Sequence, residues 1–267
     1  MSVPTSAFQS RITCPRADPD HATRRRKFAT HVAPQGAGSG SVTGEDKGIV
    51  NGRQVLHHPS DETLLAYAAG RLEVGPAVVT QSHLAFCSHC RERLRVFAAA
   101  GGALLDALPP TEMSDAALIE TQARADAPAP PPPRSRPARR QPADVDLPSV
   151  LGAYDFGRWR WLGPGVKARH ILLPGHRFTG ARLLRIAPGS KIPEHGHTGT
   201  EFTQVIHGSF SDGHQDYRPG DFCEADSALD HEPVAGPEGD CICVAAIEGS
   251  MRFSGVIGRL MQPFVGF

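Results

Sequence analysis

Two groups of side chains have the types and spacings of metal ligands, and the first group contains cysteine. His83, Cys87 and Cys90 follow one another at spacings of four and three residues, so a helix would turn them to one face. Thiolate and imidazole ligands suit zinc, and a fourth ligand would close a tetrahedral site. The adjacent His57 and His58, at the head of a predicted helix, offer that ligand. The pattern predicts a structural zinc; the alternative is two ordinary buried thiols beside a surface histidine.

The second group contains three histidines and one glutamate. His195 and His197 alternate along a predicted strand, so both imidazoles would face the same side, into a barrel. We expect Glu201 to come from the next strand and His231 from a distant one. This ligand set suits zinc, iron, manganese or nickel, so ligand identity alone leaves the metal open. The alternative, four unrelated surface residues in a glycine-rich sheet, is disfavoured.

A further pair of cysteines lies near the C-terminus. Cys241 and Cys243 alternate on one predicted strand, so their sulfurs face the same way, either inward or outward. One interpretation is that both are small apolar residues of a β core, and the other is a redox role as an oxidation target near a metal. Cys14 and Cys223 belong to no motif.

Helices must position the first group. Ser60 predicts the cap of a first helix, whose apolar face would hold Leu64 and Leu65. Proline fits the first turn of a helix, so Pro76 marks the start of a second helix that leads to the ligands. A third helix is predicted from about Ser88, and a fourth follows it. A zinc bound by the first group would therefore hold two of these short helices together.

Composition divides the chain into four parts. Residues 1–50 have few large apolar side chains and no hydrophobic periodicity. This composition predicts an N-terminal extension that is either disordered or the result of a wrongly assigned start codon. The predicted helices occupy 56–125, about 70 residues, a size at which a hydrophobic core alone is marginal and a metal helps. Residues 126–148 are rich in proline and arginine and predict a semi-stiff linker. In residues 150–267, short apolar runs between glycines and prolines predict an all-β sandwich or barrel.

Charge and hydropathy exclude several functions. The chain has 28 Lys and Arg against 28 Asp and Glu, so it lacks the strongly basic surface of non-specific DNA binders. It contains no run of about 18 apolar residues that could span a membrane. Without a recognisable signal peptide we expect a cytoplasmic protein, in which paired cysteines serve as metal ligands or redox groups more often than as disulfides.

The first group also carries a family resemblance. The run from Leu56 to Gly70, followed by the His-x3-Cys-x2-Cys spacing, resembles the zinc-binding anti-sigma domain and specifically the ChrR family of anti-sigma factors. In that family the second histidine of the pair is the ligand and lies 25 residues before the helical histidine, as His58 does before His83. The resemblance therefore selects His58 over His57.

The second group resembles the metal site of cupins. With Gly189 and Gly208 it reproduces the first cupin motif, Gly-x5-His-x-His-x3-Glu-x6-Gly. In the second motif Gly220 stands at the proper distance before His231. Three turn residues depart from the usual pattern and leave the metal ligand in place: Asp226, Ala228 and Ala235. The resemblance covers about residues 56–267 and implies a multidomain α plus all-β fold, with a small zinc-bound helical anti-sigma domain followed by a cupin β-barrel of the jelly-roll type.

The resemblance implies a regulator and not an enzyme. Family members bind an extracytoplasmic-function sigma factor and block its access to core RNA polymerase, so the implied partner is a protein rather than nucleic acid or a membrane. The cupin would sense oxidative stress, as singlet oxygen or organic hydroperoxide, and release sigma. The implied cofactors are two Zn²⁺ ions, with Fe, Mn or Ni as alternatives in the second group. The alternative function is a metal-dependent cupin dioxygenase with an accessory helical domain.

Overall fold

The computed structural model describes residues 49–50, 53–114, 116–128, 145–173 and 179–253. All of them belong to one compact unit, Glu45–Phe267. The predictions for residues 1–48 and for most of the linker fall outside the described residues, as do Cys14 and His176. The predicted domain boundaries stay predictions.

The first part of the described chain is helical. The helices are α1 (Asp61–Ala68), α2 (Val74–Phe86), α3 (Ser88–Asp106) and α4 (Ala117–Asp126). Ser60 caps α1 by accepting a hydrogen bond from the backbone N–H of Thr63. Leu64 is buried, whereas Leu65 is 50% exposed, because successive side chains of a helix point about 100° apart and α1 packs through one side. The predicted apolar face of this helix is thus narrower than its sequence indicates.

Short strands make up most of the remainder. In chain order they are β1 (Ile49–Val50), β2 (Arg53–Gln54), β3 (Asp155–Phe156), β4 (Arg160–Gly163), β5 (Val166–Leu172), β6 (Arg182–Ile186), β7 (His195–His197), β8 (Glu201–His207), β9 (Phe210–Ser211), β10 (Asp216–Tyr217), β11 (Phe222–Ala225), β12 (Val234–Ala235), β13 (Cys241–Ile247) and β14 (Met251–Phe253). A 3-10 helix, Ser149–Ala153, precedes β3.

The strands form a β-sandwich. Its larger sheet has the strand order β11-β8-β13-β6-β5-β3, with β4 also paired to β5, and the pairs are antiparallel. The facing layer contains the sheet β10-β9-β12 and the pair β14-β7. Bridges at Lys191–Val234 and His195–His231 connect segments of this layer. β11 is an edge strand of the larger sheet.

Alternation along the central strand β13 divides its side chains between two cores. Cys241 and Cys243 lie in the core between the two layers. Val244 faces the opposite way, into a core that it shares with Val78 and Val79 of α2. These two valines are 1% and 0% exposed, and burying each stabilises the assembly by roughly 1.5–3 kcal/mol. Helix α2 therefore packs directly on the outer face of the sandwich.

Candidate metal centres

The structure brings the first group together where α1, α2 and α3 meet. His58 precedes α1, His83 lies in the last turn of α2, and Cys87 both ends α2 and caps α3. The Nε2 atom of His83 is 3.3 Å from Cys90 Sγ, and the Nδ1 atom of His58 is 3.4 Å from each of the two sulfurs. In a tetrahedral zinc site an imidazole nitrogen and a thiolate sulfur lie about 3.6 Å apart. The four ligand atoms thus have the spacing that zinc requires.

Electrostatics at the two sulfurs also favours a cation. A hydrogen bond with Cys90, supported by His58 and His83 and opposed by burial, lowers the pKa of the Cys87 thiol to about 2. The same contact with Cys87, together with burial, raises the pKa of Cys90 far above its ordinary value. The two sulfurs therefore compete for one proton. A bound zinc would replace that proton and hold both cysteines as thiolates, which is the ligand form that metals bind.

The orientation of His83 is set from outside the helices. Its Nδ1 atom lies 2.9 Å from the backbone oxygen of Gly220, in the turn before β11. A carbonyl oxygen can only accept, so Nδ1–H donates and the unprotonated Nε2 faces the sulfurs. A metal-ligating histidine commonly donates its second N–H in this way, which fixes the tautomer and the ring orientation. The ring of Phe222 packs edge-on against that of His83, with centroids 5.4 Å apart.

The second group converges between the two layers of the sandwich. The Nε2 atoms of His195, His197 and His231 lie 3.5, 2.9 and 3.3 Å from Oε2 of Glu201. His195 and His231 are joined by two backbone hydrogen bonds, and their Nε2 atoms are 3.2 Å apart. The Nδ1–H of His195 donates to the carbonyl oxygen of Pro193 at 2.8 Å, so its Nε2 is available to a metal. All four ligands are thus aimed at one point.

The three histidines stabilise the charge of Glu201. Burial would raise the pKa of Glu201, but the close approach of the three imidazoles overcomes it and holds the pKa well below its ordinary value. Burial would likewise lower the pKa of His195, yet its contacts with Glu201 leave that pKa raised. Glu201 is therefore a carboxylate, the single anionic ligand among three imidazoles.

The second group fits a metal ion. The buried Nε2 of His197 and Oε2 of Glu201 have no hydrogen-bond partner among the described residues, although they lie 2.9 Å apart. With metal–ligand bonds of about 2.1 Å, neighbouring ligand atoms are about 3.0 Å apart in an octahedral site and about 3.4 Å apart in a tetrahedral one. The observed distances of 2.9–3.5 Å span both geometries. The geometry therefore suits a divalent metal and leaves its identity open, as the ligand types do.

The cysteine pair faces inward. Cys241 and Cys243 are 0% and 1% exposed, and their sulfurs lie 3.3 Å apart. The contact with Cys241, together with burial, raises the pKa of Cys243 well above its ordinary value. A thiol with a raised pKa is a weak nucleophile, so Cys243 reacts slowly with oxidants while it stays buried. Its redox role stays a prediction.

Some residues that matter for the first group had no sequence signal. Asp221 and Glu224 accept hydrogen bonds from the segment around His58, which lies more than 160 residues earlier in the chain. Neither acidic residue belongs to a motif, and only the folded chain brings them to the helices. His57 faces Tyr217, with ring centroids 4.8 Å apart, and does not join the ligand cluster.

Comparisons with known proteins show the family of this chain. A family model described as the ChrR cupin-like domain matches residues 150–249. Over 215 residues the chain is 40% identical to the anti-sigma-E factor ChrR of Cereibacter sphaeroides, covering 79% of this chain and 98% of that protein. The chain belongs to the ChrR family of anti-sigma factors. This finding confirms the resemblance seen in the sequence.

Structural similarity supports the same conclusion for this ChrR-family chain. It matches a chain of the crystal structure of Rhodobacter sphaeroides SigE in complex with the anti-sigma ChrR, at 37% identity and a TM-score of 0.59, covering 73% of this chain and 100% of that one. An RmlC-like cupin protein of Ralstonia eutropha matches at 17% identity and a TM-score of 0.33, over 39% of this chain and 69% of that one, too low to add to the argument. The predicted fold, helices followed by a cupin, is confirmed.

Proposed function

We propose that this chain is an anti-sigma factor that binds an extracytoplasmic-function sigma factor and keeps it from core RNA polymerase in the cytoplasm. The proposal rests on the similarity to ChrR, which is bound to SigE in the solved complex. The coverage of 98% of the curated relative means that both the helical part and the cupin correspond to parts of a known anti-sigma factor.

The surface that suits a sigma factor is the second half of α3 together with α4. The two leucines at the end of α3, Leu104 and Leu105, are 73% and 68% exposed, and Ile119 of α4 is 69% exposed. No described residue of α4 is buried, and Leu118 is 65% exposed as well. Large apolar side chains that stay exposed on a folded chain suit a protein-binding site. We name the side chains of Leu104, Leu105, Leu118 and Ile119 the helical docking surface.

The two ligand clusters have different roles in this proposal. The first group would hold a structural zinc, because four protein ligands leave no open position and join the ends of three helices. Such a metal contributes folding free energy to the part of the chain that carries the helical docking surface. The second group would hold zinc, iron, manganese or nickel and would serve in sensing.

Sensing of oxidative stress would take place in the cupin. The thiols of Cys241 and Cys243 lie in the core between the two layers, and Cys243 is near enough to Glu201 of the second group to interact with it electrostatically. One organic hydroperoxide could oxidise this pair to a disulfide, with an alcohol and a water as the other products, and singlet oxygen could attack the same sulfurs or the histidine ligands. Because β13 also packs against α2, a change at this strand would reach the helices that bind sigma.

Enzymatic dioxygenase activity is the weaker candidate. The relatives that cover both parts of the chain are regulators by name, and a dioxygenase leaves the helical part without a role. The four residues of the second group are each at most 9% exposed, so a substrate could reach little of their surface.

A binding and transcription experiment tests the proposal. The purified full chain is mixed with each extracytoplasmic-function sigma factor of its own organism, and transcription by the corresponding holoenzyme is measured. We expect a stable complex with one sigma factor, loss of its transcription, and recovery after photosensitised singlet oxygen or an alkyl hydroperoxide. Absence of any complex would refute the anti-sigma role. Oxygen consumption with a small organic substrate would instead favour the dioxygenase.

A further inference from the structure

The segment that carries His58 lies along the free edge of the larger sheet. The backbone N–H of Phe222 in the edge strand β11 donates to the carbonyl oxygen of His57 at 3.0 Å. In the other direction, the N–H groups of Leu56 and His57 donate to Oδ1 of Asp221 at 2.7 and 3.1 Å. Asp221 is 2% exposed, so these bonds are made in a nearly dry environment where they are strong.

The next turn of the same segment is held by Glu224. Its Oε2 accepts from the N–H of Ser60 at 2.9 Å, and its Oε1 accepts from the hydroxyls of Ser60 and Thr63 at 3.0 and 2.7 Å. These donors belong to the cap and first turn of α1, where the N–H groups lack helical partners and a negative charge is stabilising. A carboxylate of the cupin thus completes the cap that immediately follows His58.

The second histidine ligand is held by the same part of the cupin. Gly220, whose carbonyl oxygen accepts from His83 Nδ1, directly precedes Asp221 and β11. Phe222, whose ring contacts His83, is the first residue of β11. The short segment 218–225 therefore contacts His83 directly and holds the residues on either side of His58, whereas Cys87 and Cys90 are placed by the helices themselves.

We propose that residues 218–225 of the cupin are a latch that completes the metal centre of the helices, with Asp221 and Glu224 as its positioning residues. The inference rests on the proposed metal binding by the first group, and it does not depend on the sigma factor. The latch orients His83 directly and fixes the backbone on either side of His58, so metal retention by the helices depends on their contact with the cupin. Outer partners of metal ligands are typically worth 10- to 100-fold in metal affinity, which sets the expected size of the effect at roughly 10-fold or more.

When cobalt replaces zinc, the first group can be followed by its absorption separately from the second group. Only the first group contains sulfur ligands, so the sulfur-to-cobalt charge-transfer absorption reports this site and not the second group. The full chain is loaded with Co²⁺ and challenged with an excess of chelator, and the decay of that absorption is followed. The latch variants are Asp221→Asn and Glu224→Ala. Their matched controls are Asp216→Asn and Glu238→Ala, which change exposed acidic residues of the cupin outside the latch.

We expect both latch variants to lose the sulfur–cobalt absorption about 10-fold faster than the unaltered chain, and both controls to lose it at the unaltered rate. Cobalt held by the second group, measured by total metal content, should be retained equally in all five proteins. Equal rates in the latch variants and the controls would overturn the latch. The latch would also be overturned if Glu224→Ala, a change at an exposed residue, lost the metals of both groups and its helical circular dichroism signal. The effect would then be general unfolding. If the unaltered chain shows no sulfur–cobalt absorption, the metal proposal for the first group fails instead.

Discussion

Replacing two leucines of the helical docking surface gives a direct measure of its role. Leu104 and Leu105 are 73% and 68% exposed, so Leu104→Ala with Leu105→Ala removes little packing from the free protein. Complete burial of a leucine is worth about 1.5–3 kcal/mol, and the exposed share of each makes about 1–2 kcal/mol available to a partner. The double variant therefore gives up about 2–4 kcal/mol of binding free energy.

At about 1.4 kcal/mol per tenfold change, that loss raises the Kd for the sigma factor by roughly 30- to 1,000-fold. Isothermal titration calorimetry of the full chain with the sigma factor that it binds measures this Kd directly. The melting temperature of each variant shows whether the fold is unchanged. Trp161→Ala is the control, because Trp161 is 68% exposed but belongs to the cupin strand β4. A folded double variant that binds sigma within about twofold of the unaltered chain would refute the assignment. An equal loss of affinity in Trp161→Ala would refute it as well.

Two further substitutions test the second group and the packing of α2. Glu201→Gln removes the only anionic ligand of the second group, so we expect a chelator to remove the metal of this group about 10- to 100-fold faster. The sulfur–cobalt absorption of the first group should persist. If the variant retains as much total metal as a Glu238→Gln control, the prediction is wrong. Ser82→Ala removes the buried donor that lies 2.7 Å from Oε1 of Gln204, and the orphaned acceptor should lower the free energy of unfolding by about 1–3 kcal/mol in urea titrations. The exposed Ser114→Ala should change it by less than about 0.5 kcal/mol, and equal effects would argue against the contact.

The helices, the strands and both ligand sets were predictable from the sequence because their signals are local. His83, Cys87 and Cys90 lie within two consecutive helices, and helical spacing alone brings them near one another. His195 and His197 share one strand, so alternation decides that they face the same side. The choice of His58 over His57 needed the family resemblance, because spacing leaves both adjacent histidines within reach. The structure agrees with that choice, since His58 contacts both sulfurs and His57 faces Tyr217.

Sequence patterns were therefore enough to predict which side chains gather into the two groups, the classes of the two folds and the family. How the helices and the cupin pack together could be seen only in the folded chain. Val78 and Val79 carry no mark that distinguishes packing on a sheet from packing on another helix, because hydrophobic contact is not directional. Asp221 and Glu224 likewise appear in the sequence as ordinary turn and strand residues. Their role arises because the edge of the folded sheet leaves backbone groups unpaired, and the segment with His58 is the part of the chain that covers them.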